Sequence, residues 1–121
     1  MSDENPAPGK TTIAPDVILN IATLTTLGVE GVSRMSALPG GMSRLWLRGH
    51  QSDGVRIEVA DGTVHIDLYL ILKPEINVRQ VSRKVQKEVA RAIDEMVGMK
   101  PGKINIHIED IAFDFEEENP A

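Results

Sequence analysis

Apolar and polar residues alternate in two neighbouring segments, VRIEVA (55–60) and TVHIDLYLIL (63–72), the second of which ends in an apolar run. This period of two predicts two half-buried β-strands. Asp61 and Gly62 alone separate them, and an Asp-Gly pair between alternating segments is typical of a type I′ turn. The pattern therefore predicts an antiparallel hairpin.

The two-residue turn also fixes which residues of the hairpin face each other. The opposed pairs are Val59 with Val64, Ile57 with Ile66, Val55 with Leu68, Glu58 with His65, and Arg56 with Asp67. Apolar residues meet on one face, and groups that can carry opposite charges meet on the other. A slip by one residue would destroy both matches, so the register follows from the pattern.

A helical period appears after the hairpin, over residues 77–97. Asn77 is suited to the N-cap, and Gly98 to the end of the helix. The predicted buried stripe has spacings of three and four: Val78, Val81, Val85, Val89, Ala92 and Met96, widened by Ile93. Four basic residues recur on the opposite side: Arg79, Arg83, Lys87 and Arg91.

An earlier helix is predicted from Pro15 to about Gly28, because proline suits the first helical position and glycine the end. It is apolar on most sides, which predicts heavy burial. The preceding residues 10–14 (KTTIA) are rich in strand-forming side chains and predict a short first strand.

A last strand is predicted at residues 103–110, with Ile104, Ile106 and Ile108 on one face. The alternation changes parity near Asp110, which predicts a bulge or the end of the strand there. The element order is thus β-α-β-β-α-β, which predicts a single α+β domain with one mixed or antiparallel sheet and two helices on one face. We expect a disordered tail at 1–9, the domain at 10–113 and an acidic tail at 114–121.

Composition narrows the class of protein. The chain has 121 residues, no cysteine and a net charge of −5. Disulfides and zinc-thiolate sites are therefore excluded. The polar start and the short apolar runs predict neither a secretory signal nor a membrane span, and hence a cytoplasmic location. The acidic balance argues against bulk binding of nucleic acid.

Candidate catalytic chemistry is sparse. His65, Asp67, His107 and Glu109 share the polar face of the predicted sheet and could in principle bind a metal. The hairpin register already gives two of them cross-strand partners, so a solvated polar face is the favoured interpretation. GMKPGK (98–103) lacks the full phosphate-loop spacing. We predict no catalytic residue, metal, cofactor or small-molecule substrate, and no enzyme activity.

The basic row Arg79, Arg83, Lys87 and Arg91 has two interpretations. It is either the solvated side of an amphipathic helix, which is favoured, or a contact surface for phosphates, lipid headgroups or an acidic partner. Such a contact would give the alternative function, nucleic-acid binding through the basic face of helix 77–97.

The segment between the first helix and the hairpin holds a predicted short helix, residues 42–48. Trp46 lies there between Arg44 and Arg48, a combination suited to a membrane surface or a docking partner. The other interpretation is a lid whose Trp46 closes the edge of the core.

Five segments carry a family resemblance: GKTTIAPDVI, GVEGVSRMS, VHIDLYLIL, VRQVSRKVQKEVARAIDEMVG and INIHIEDIAF. In their order and spacing they resemble the alkaline-shock-protein family, small bacterial proteins of the envelope stress response. The resemblance implies a cytoplasmic, non-enzymatic scaffold for envelope homeostasis that self-associates as a homo-oligomer. It also implies docking on a membrane-associated partner protein, which places the protein peripherally at the membrane. An anionic membrane surface is a further candidate partner, and nucleic acid is not expected.

Overall fold

The computed structural model describes residues 8–37 and 49–112. The elements in chain order are helix α1 (Pro15–Leu27), β1 (Val32–Met35), β2 (His50–Ser52), β3 (Val55–Ala60), β4 (Thr63–Leu72), helix α2 (Val78–Ala92) and β5 (Lys100–Ile111). A π-helical turn, Ile93–Val97, continues α2. The strands form one mixed sheet, which confirms the predicted α+β class.

Strand β4 lies at the centre of the sheet. One of its edges pairs antiparallel with β3 at residues 63–68 and with β1 at residues 70–72, while β2 pairs with the outer edge of β3. Tyr69 lies at the junction, where its N–H donates to the Gly54 carbonyl and its carbonyl accepts the Ser36 N–H. The other edge of β4 pairs in parallel with β5 along its whole length.

The hairpin formed by β3 and β4 confirms the predicted register at every pair. Asp61 (φ 54°) and Gly62 (φ 76°) both have the left-handed backbone that a type I′ turn requires. The turn and the alternation thus specify the same pairing. This hairpin sets the position of every other strand in the sheet.

The predicted first strand at residues 10–14 is wrong, because the structure has no strand there and α1 begins at Pro15. The N-terminal strand is instead β1, which follows α1 and occupies the part of the β4 edge beyond β3. High strand propensity does not by itself supply a neighbouring strand to pair with, and β3 and β1 already occupy this edge of β4. Of the two β-α-β halves in the predicted element order, the described residues therefore contain only the second, formed by β4, α2 and β5.

The predicted helix boundaries are confirmed. Pro15 stands at the first turn of α1, and Gly28 ends it. The Asn77 side chain caps α2 by accepting the Gln80 N–H at 3.0 Å, and Gly98, in the left-handed conformation, ends the π turn.

Two members of the stripe that was predicted to be buried on α2 are exposed. The wide π turn carries Val97, rather than Met96, into the core after Ile93, so that Met96 is 68% exposed. Val78, in the first turn, is also largely exposed. The burial predicted for these two side chains is wrong.

The core lies between the helices and one face of the sheet. Its sheet side is formed by alternate residues of β3 and β4: Val55, Ile57, Val64, Ile66, Leu68, Leu70 and Leu72. Ile18, Leu19 and Ala22 of α1 and Val81, Val85 and Val89 of α2 pack against them. The opposite face of the sheet, here called the open face, carries polar side chains. No helix in the described ranges is long and apolar enough to cross a membrane.

Strand β5 contains the predicted irregularity. Its register with β4 shifts between the pairs Leu70–Ile108 and Ile71–Asp110, so Glu109 is the extra residue. This bulge explains the parity change in the sequence. The strand also begins earlier than predicted, at Lys100, and Pro101 is tolerated because β5 lies at the edge of the sheet.

Candidate functional site

The open face carries a polar cluster that ties three strands together. Asp67 of β4 is its centre: Arg56 of β3 donates to Oδ2 at 3.0 Å, and Asn105 of β5 donates to Oδ1 at 3.2 Å. His107 Nε2 is hydrogen-bonded to Oδ1 at 3.0 Å, and its ring stacks on Tyr69. The cluster therefore links β3, β4 and β5 through one carboxylate.

This arrangement opposes the metal interpretation of the same face. The Asp67 carboxylate already accepts hydrogen bonds from three side chains. His65 Nδ1 accepts the backbone N–H of Lys103 at 3.1 Å, so this ring nitrogen is also occupied. Within residues 8–37 and 49–112, no group of three or more histidine and acidic side chains could hold a metal ion.

The pKa of Asp67 reflects two opposing effects. Burial raises it, but hydrogen bonds from His107, Arg56 and Asn105, together with the charge of Arg56, outweigh burial and hold the pKa below its usual value. The ionised form is thus favoured in the folded protein. At neutral pH such a carboxyl is ionised, so it accepts hydrogen bonds from its neighbours and does not act as a proton donor.

We expect Asp67→Asn to lower the free energy of unfolding by about 2 kcal/mol at neutral pH, because charged hydrogen bonds are lost beside the largely buried Arg56. Since the folded pKa lies below the unfolded value of about 3.9, the carboxylate stabilises the fold above that pH. Its contribution disappears as the pH falls through the folded pKa. Urea unfolding of both proteins at several pH values measures this difference.

Asp61→Asn is the matched control, because it removes the same charge from the same hairpin at an exposed turn position. It should change stability little at any pH. A difference between Asp67→Asn and the wild type that persisted undiminished in acid would contradict the linkage.

The basic row is exposed on α2, as the favoured interpretation predicts, but it does not form one straight patch. Arg79, Arg83, Lys87 and Arg91 all face solvent. Residues four apart advance about 40° beyond a full turn, so the row winds around the helix. Arg91 reaches the α1 side and forms an i,i+4 ion pair with Glu95 at 3.4 Å.

A groove runs between the outer surfaces of α1 and α2, here called the interhelical groove. Three adjoining cavities of about 330, 430 and 220 Å³ form it. The first two share Val29 and Lys84, and the last two share Thr25 and Glu88. From Asn77 to Met96 the groove is roughly 28 Å long at 1.5 Å per residue.

The interhelical groove carries two exposed large apolar side chains among charged ones: Glu30, Lys84, Glu88, Arg91 and Glu95. Leu24 of α1 is 70% exposed beside the middle cavity, and Met96 lines the cavity at the far end. Val17 and Leu27 of α1 are also partly exposed, although neither lines the three cavities. The heavy burial predicted for α1 is therefore wrong on its outer side, because the helix has apolar residues all round but only one side faces the sheet.

The basic side chains of the groove differ in part from the predicted set. Lys84 and Arg91 line it, whereas Arg79, Arg83 and Lys87 line none of its three cavities. Lys84 was not among the predicted residues because it interrupts the four-residue repeat. The sequence did signal the exposed apolar side chains of α1, because this helix is apolar on most sides. That pattern was interpreted as burial.

The predicted docking segment lies outside the described residues. It comprises Met42–Arg48, with Arg44, Trp46 and Arg48 as predicted contact residues. Its two interpretations, docking element or lid, therefore stay predictions. The acidic tail at 114–121 also lies outside the described range, as does most of the tail at 1–9.

Comparison with known proteins identifies the family. The model of the alkaline shock protein 23 family, described as having a cell envelope-related function, matches residues 3–113. The uncharacterized protein YqhY of Bacillus subtilis is 30% identical over 115 residues, covering 94% of this chain and 85% of the relative. The uncharacterized protein Spy1535 of Streptococcus pyogenes is 31% identical over 104 residues, covering 85% and 79%.

YloU of Bacillus subtilis, also uncharacterized, is 22% identical over 106 residues, covering 85% of this chain and 88% of the relative. No solved structure matches the chain. The family match spans the whole of the predicted domain, residues 10–113, and confirms the resemblance seen in the sequence. The chain belongs to the alkaline shock protein 23 family, whose function is cell envelope-related.

Proposed function

We propose that the protein is a non-enzymatic scaffold of the envelope stress response that self-associates and docks, through the interhelical groove, on a membrane-associated partner protein. The observation that carries the proposal is the exposure of Leu24 and Met96 at the rim of that groove. Large apolar side chains gathered along a groove are typical of surfaces that bind another protein. The cell envelope-related function of the family supports the same direction.

The groove specifies the chemistry of the segment that it binds. Its length and the exposed Leu24 and Met96 suit an amphipathic helix or extended segment of about 20 residues or fewer, with apolar anchors that cover these two side chains. The groove lining has mixed charge, because Glu30, Glu88 and Glu95 accompany Lys84 and Arg91, so it suits a segment with both acidic and basic residues at its flanks. Through such a partner the protein would be held at the cytoplasmic face of the membrane.

The polar cluster supports a non-enzymatic role. The Asp67 carboxylate, hydrogen-bonded to three side chains, is engaged in bonds between strands. Its depressed pKa is the reverse of what a general acid needs near neutral pH. The exterior of the helices, rather than a reactive cluster, is the surface left for function.

We expect Leu24→Glu to reduce recovery of the protein in the membrane fraction of cells at least about tenfold, because it places a charge among the apolar anchors. Folding should be retained, since Leu24 is mostly exposed. Fractionation followed by quantitative immunoblotting, with a thermal melt of each purified variant, measures both effects.

Asn20→Glu is the matched control, because it adds the same charge to the exposed side of the same helix without lining the groove. It should fractionate like the wild type. Equal membrane recovery of Leu24→Glu and wild type would refute docking through the groove. Pelleting of the purified protein with anionic vesicles would instead show direct lipid contact, for which Trp46→Ala is the diagnostic variant.

Nucleic-acid binding through the basic face of helix 77–97 has weaker support. That helix has five basic and three acidic residues, and the basic row winds around it. Tyr69, an aromatic group for stacking, lies on the open face of the sheet, opposite the helices. A mobility shift at low salt that weakens steeply with added salt would favour this alternative over the scaffold.

A further inference from the structure

Strand β5 has an edge that no described strand covers. Its inner edge pairs with β4, and the residues of β4 are shared on the other side between β1 and β3. In the described part of the chain, the outer edge of β5 receives one hydrogen bond, from the Gln86 side-chain amide to the Ile104 carbonyl at 3.0 Å. An unpaired strand edge is a template for another strand.

Two contacts show which residues face outward. The Ile104 carbonyl bonds to Gln86 of α2 instead of to β4, whereas the Lys103 N–H points at His65 of β4. Amide and carbonyl groups alternate between the two edges along a strand. Ile104, Ile106 and Ile108 therefore present their backbone groups to the outer edge.

Natural edge strands are usually protected by proline, charge or a bulge. In β5 such features lie only at the ends: Pro101 and Lys103 before the isoleucines, and the bulge at Glu109 after them. The central residues, Ile104 to Ile108, carry none of them. Within residues 8–37 and 49–112, the middle of this edge is thus open to pairing.

The sequence of β5 is complementary to itself when two copies run antiparallel. With Ile106 opposite Ile106 of the second copy, Ile104 faces Ile108 and Asn105 faces His107. Lys103 then faces Glu109 of the second copy, on the open face of the sheet. Apolar residues meet on the helical side, and opposite charges meet on the other side.

Neighbouring registers lose this match. Centring the pair on Asn105 places Lys103 opposite His107 and Glu109 opposite Pro101. Centring it on His107 places Ile104 opposite Asp110 and Asn105 opposite Glu109. In the Ile106-centred register the outward-facing residues also lie opposite one another, so roughly six backbone hydrogen bonds can form.

We propose that β5 is a self-association edge, at which a second copy of this chain pairs its own β5 antiparallel about a two-fold axis at Ile106. The inference rests on the proposed self-association and specifies its surface. Gln86 must release the Ile104 carbonyl for the two outermost hydrogen bonds. The pairing adds only one strand to each sheet, so we expect weak dimerisation that depends on protein concentration.

Charge reversal at the paired residues tests the register. Lys103→Glu and Glu109→Lys are expected to weaken dimerisation about tenfold each, because each creates two repulsive pairs across the axis. The double variant Lys103→Glu/Glu109→Lys should restore the wild-type constant. Both side chains are exposed, and they are too far apart along one strand to pair within a copy. Sedimentation velocity over a concentration series measures all four proteins.

Disulfide trapping gives an independent readout that needs no stable dimer in solution. The chain has no cysteine, so a mixture of Lys103→Cys and Glu109→Cys proteins offers a single defined pair. Directly opposite residues of antiparallel strands are close enough for a disulfide. Under mild oxidation the mixed species should form faster than either homodimer.

The results separate this proposal from docking through the groove. A wild-type chain that stays monomeric at every concentration, or a double variant that fails to recover, overturns pairing through β5. A dimer that is lost in Leu24→Glu but unaffected by Lys103→Glu also overturns it and places self-association at the groove. Loss of membrane recovery in Leu24→Glu with an intact dimer supports both assignments.

Discussion

Gly54→Ala is expected to lower the free energy of unfolding by about 3 kcal/mol. Gly54 has φ +77°, and a left-handed backbone costs an L-residue about 1–2 kcal/mol. Its added Cβ would also lie 2.7 Å from both the Ser36 carbonyl oxygen and Met35 Cβ, where β1 meets the hairpin. Because backbone cannot yield as a side chain does, the junction between β1 and β3 must open. Urea unfolding measures the loss.

Gly62→Ala separates the two causes. Gly62 has almost the same φ, +76°, but nothing lies within 4 Å of the Cβ that this substitution would add. It should therefore show only the conformational cost, about 1 kcal/mol. Equal losses in the two variants would mean that crowding at Gly54 contributes nothing.

Leu68→Ala is expected to cost about 3 kcal/mol or more. Leu68 is fully buried in the central strand, opposite Val55 on one side and Ile106 on the other. Strands flank Leu68 on both sides and two helices pack over it. Its neighbours are therefore held in place and cannot fill the cavity that alanine would leave. The expected result is a large fall in the urea midpoint with an unchanged slope.

Leu24→Ala is the matched control for Leu68→Ala. It removes the same atoms from a side chain that is 70% exposed, and alanine is a strong helix former. Its stability should stay within about 0.5 kcal/mol of the wild type. A loss as large as that of Leu68→Ala would show that Leu24 is packed and would remove it from the docking surface.

The hairpin could be predicted completely because its information is local. Asp61 and Gly62 set the turn, and alternation along 55–60 and 63–72 sets the faces, so both signals specify one register. The same holds for α2, where Asn77 and Gly98 mark the ends. The bulge at Glu109 was also visible, as a change in parity.

Strand β1 could not be predicted in this way. Its four residues lie in a glycine-rich stretch, and their partners on β4 are more than thirty residues away. Residues 10–14 have better strand propensity but pair with no described strand. Propensity therefore favoured the wrong segment, because pairing depends on which edge of the sheet remains open.

The candidate site shows the same division between local and non-local information. The exposure of the basic row followed from its period, but the interhelical groove depends on how α1 packs beside α2. A helix that is apolar on all sides is predicted to be buried. Its sequence does not indicate which side packs on the sheet and which side stays exposed. Met96 became exposed through a π turn, which residue spacing does not reveal.

The placement of both helices on one face of the sheet has a consequence for attachment. Joining two sheets edge to edge about an axis normal to them keeps both grooves on the same side. One dimer could then bind two partner molecules that lie side by side in the membrane. Once the first groove is occupied, the second groove would bind its partner at a high effective concentration. Such avidity can strengthen attachment about a hundredfold without any new contact. Weak individual docking and weak pairing would together give firm but reversible anchoring.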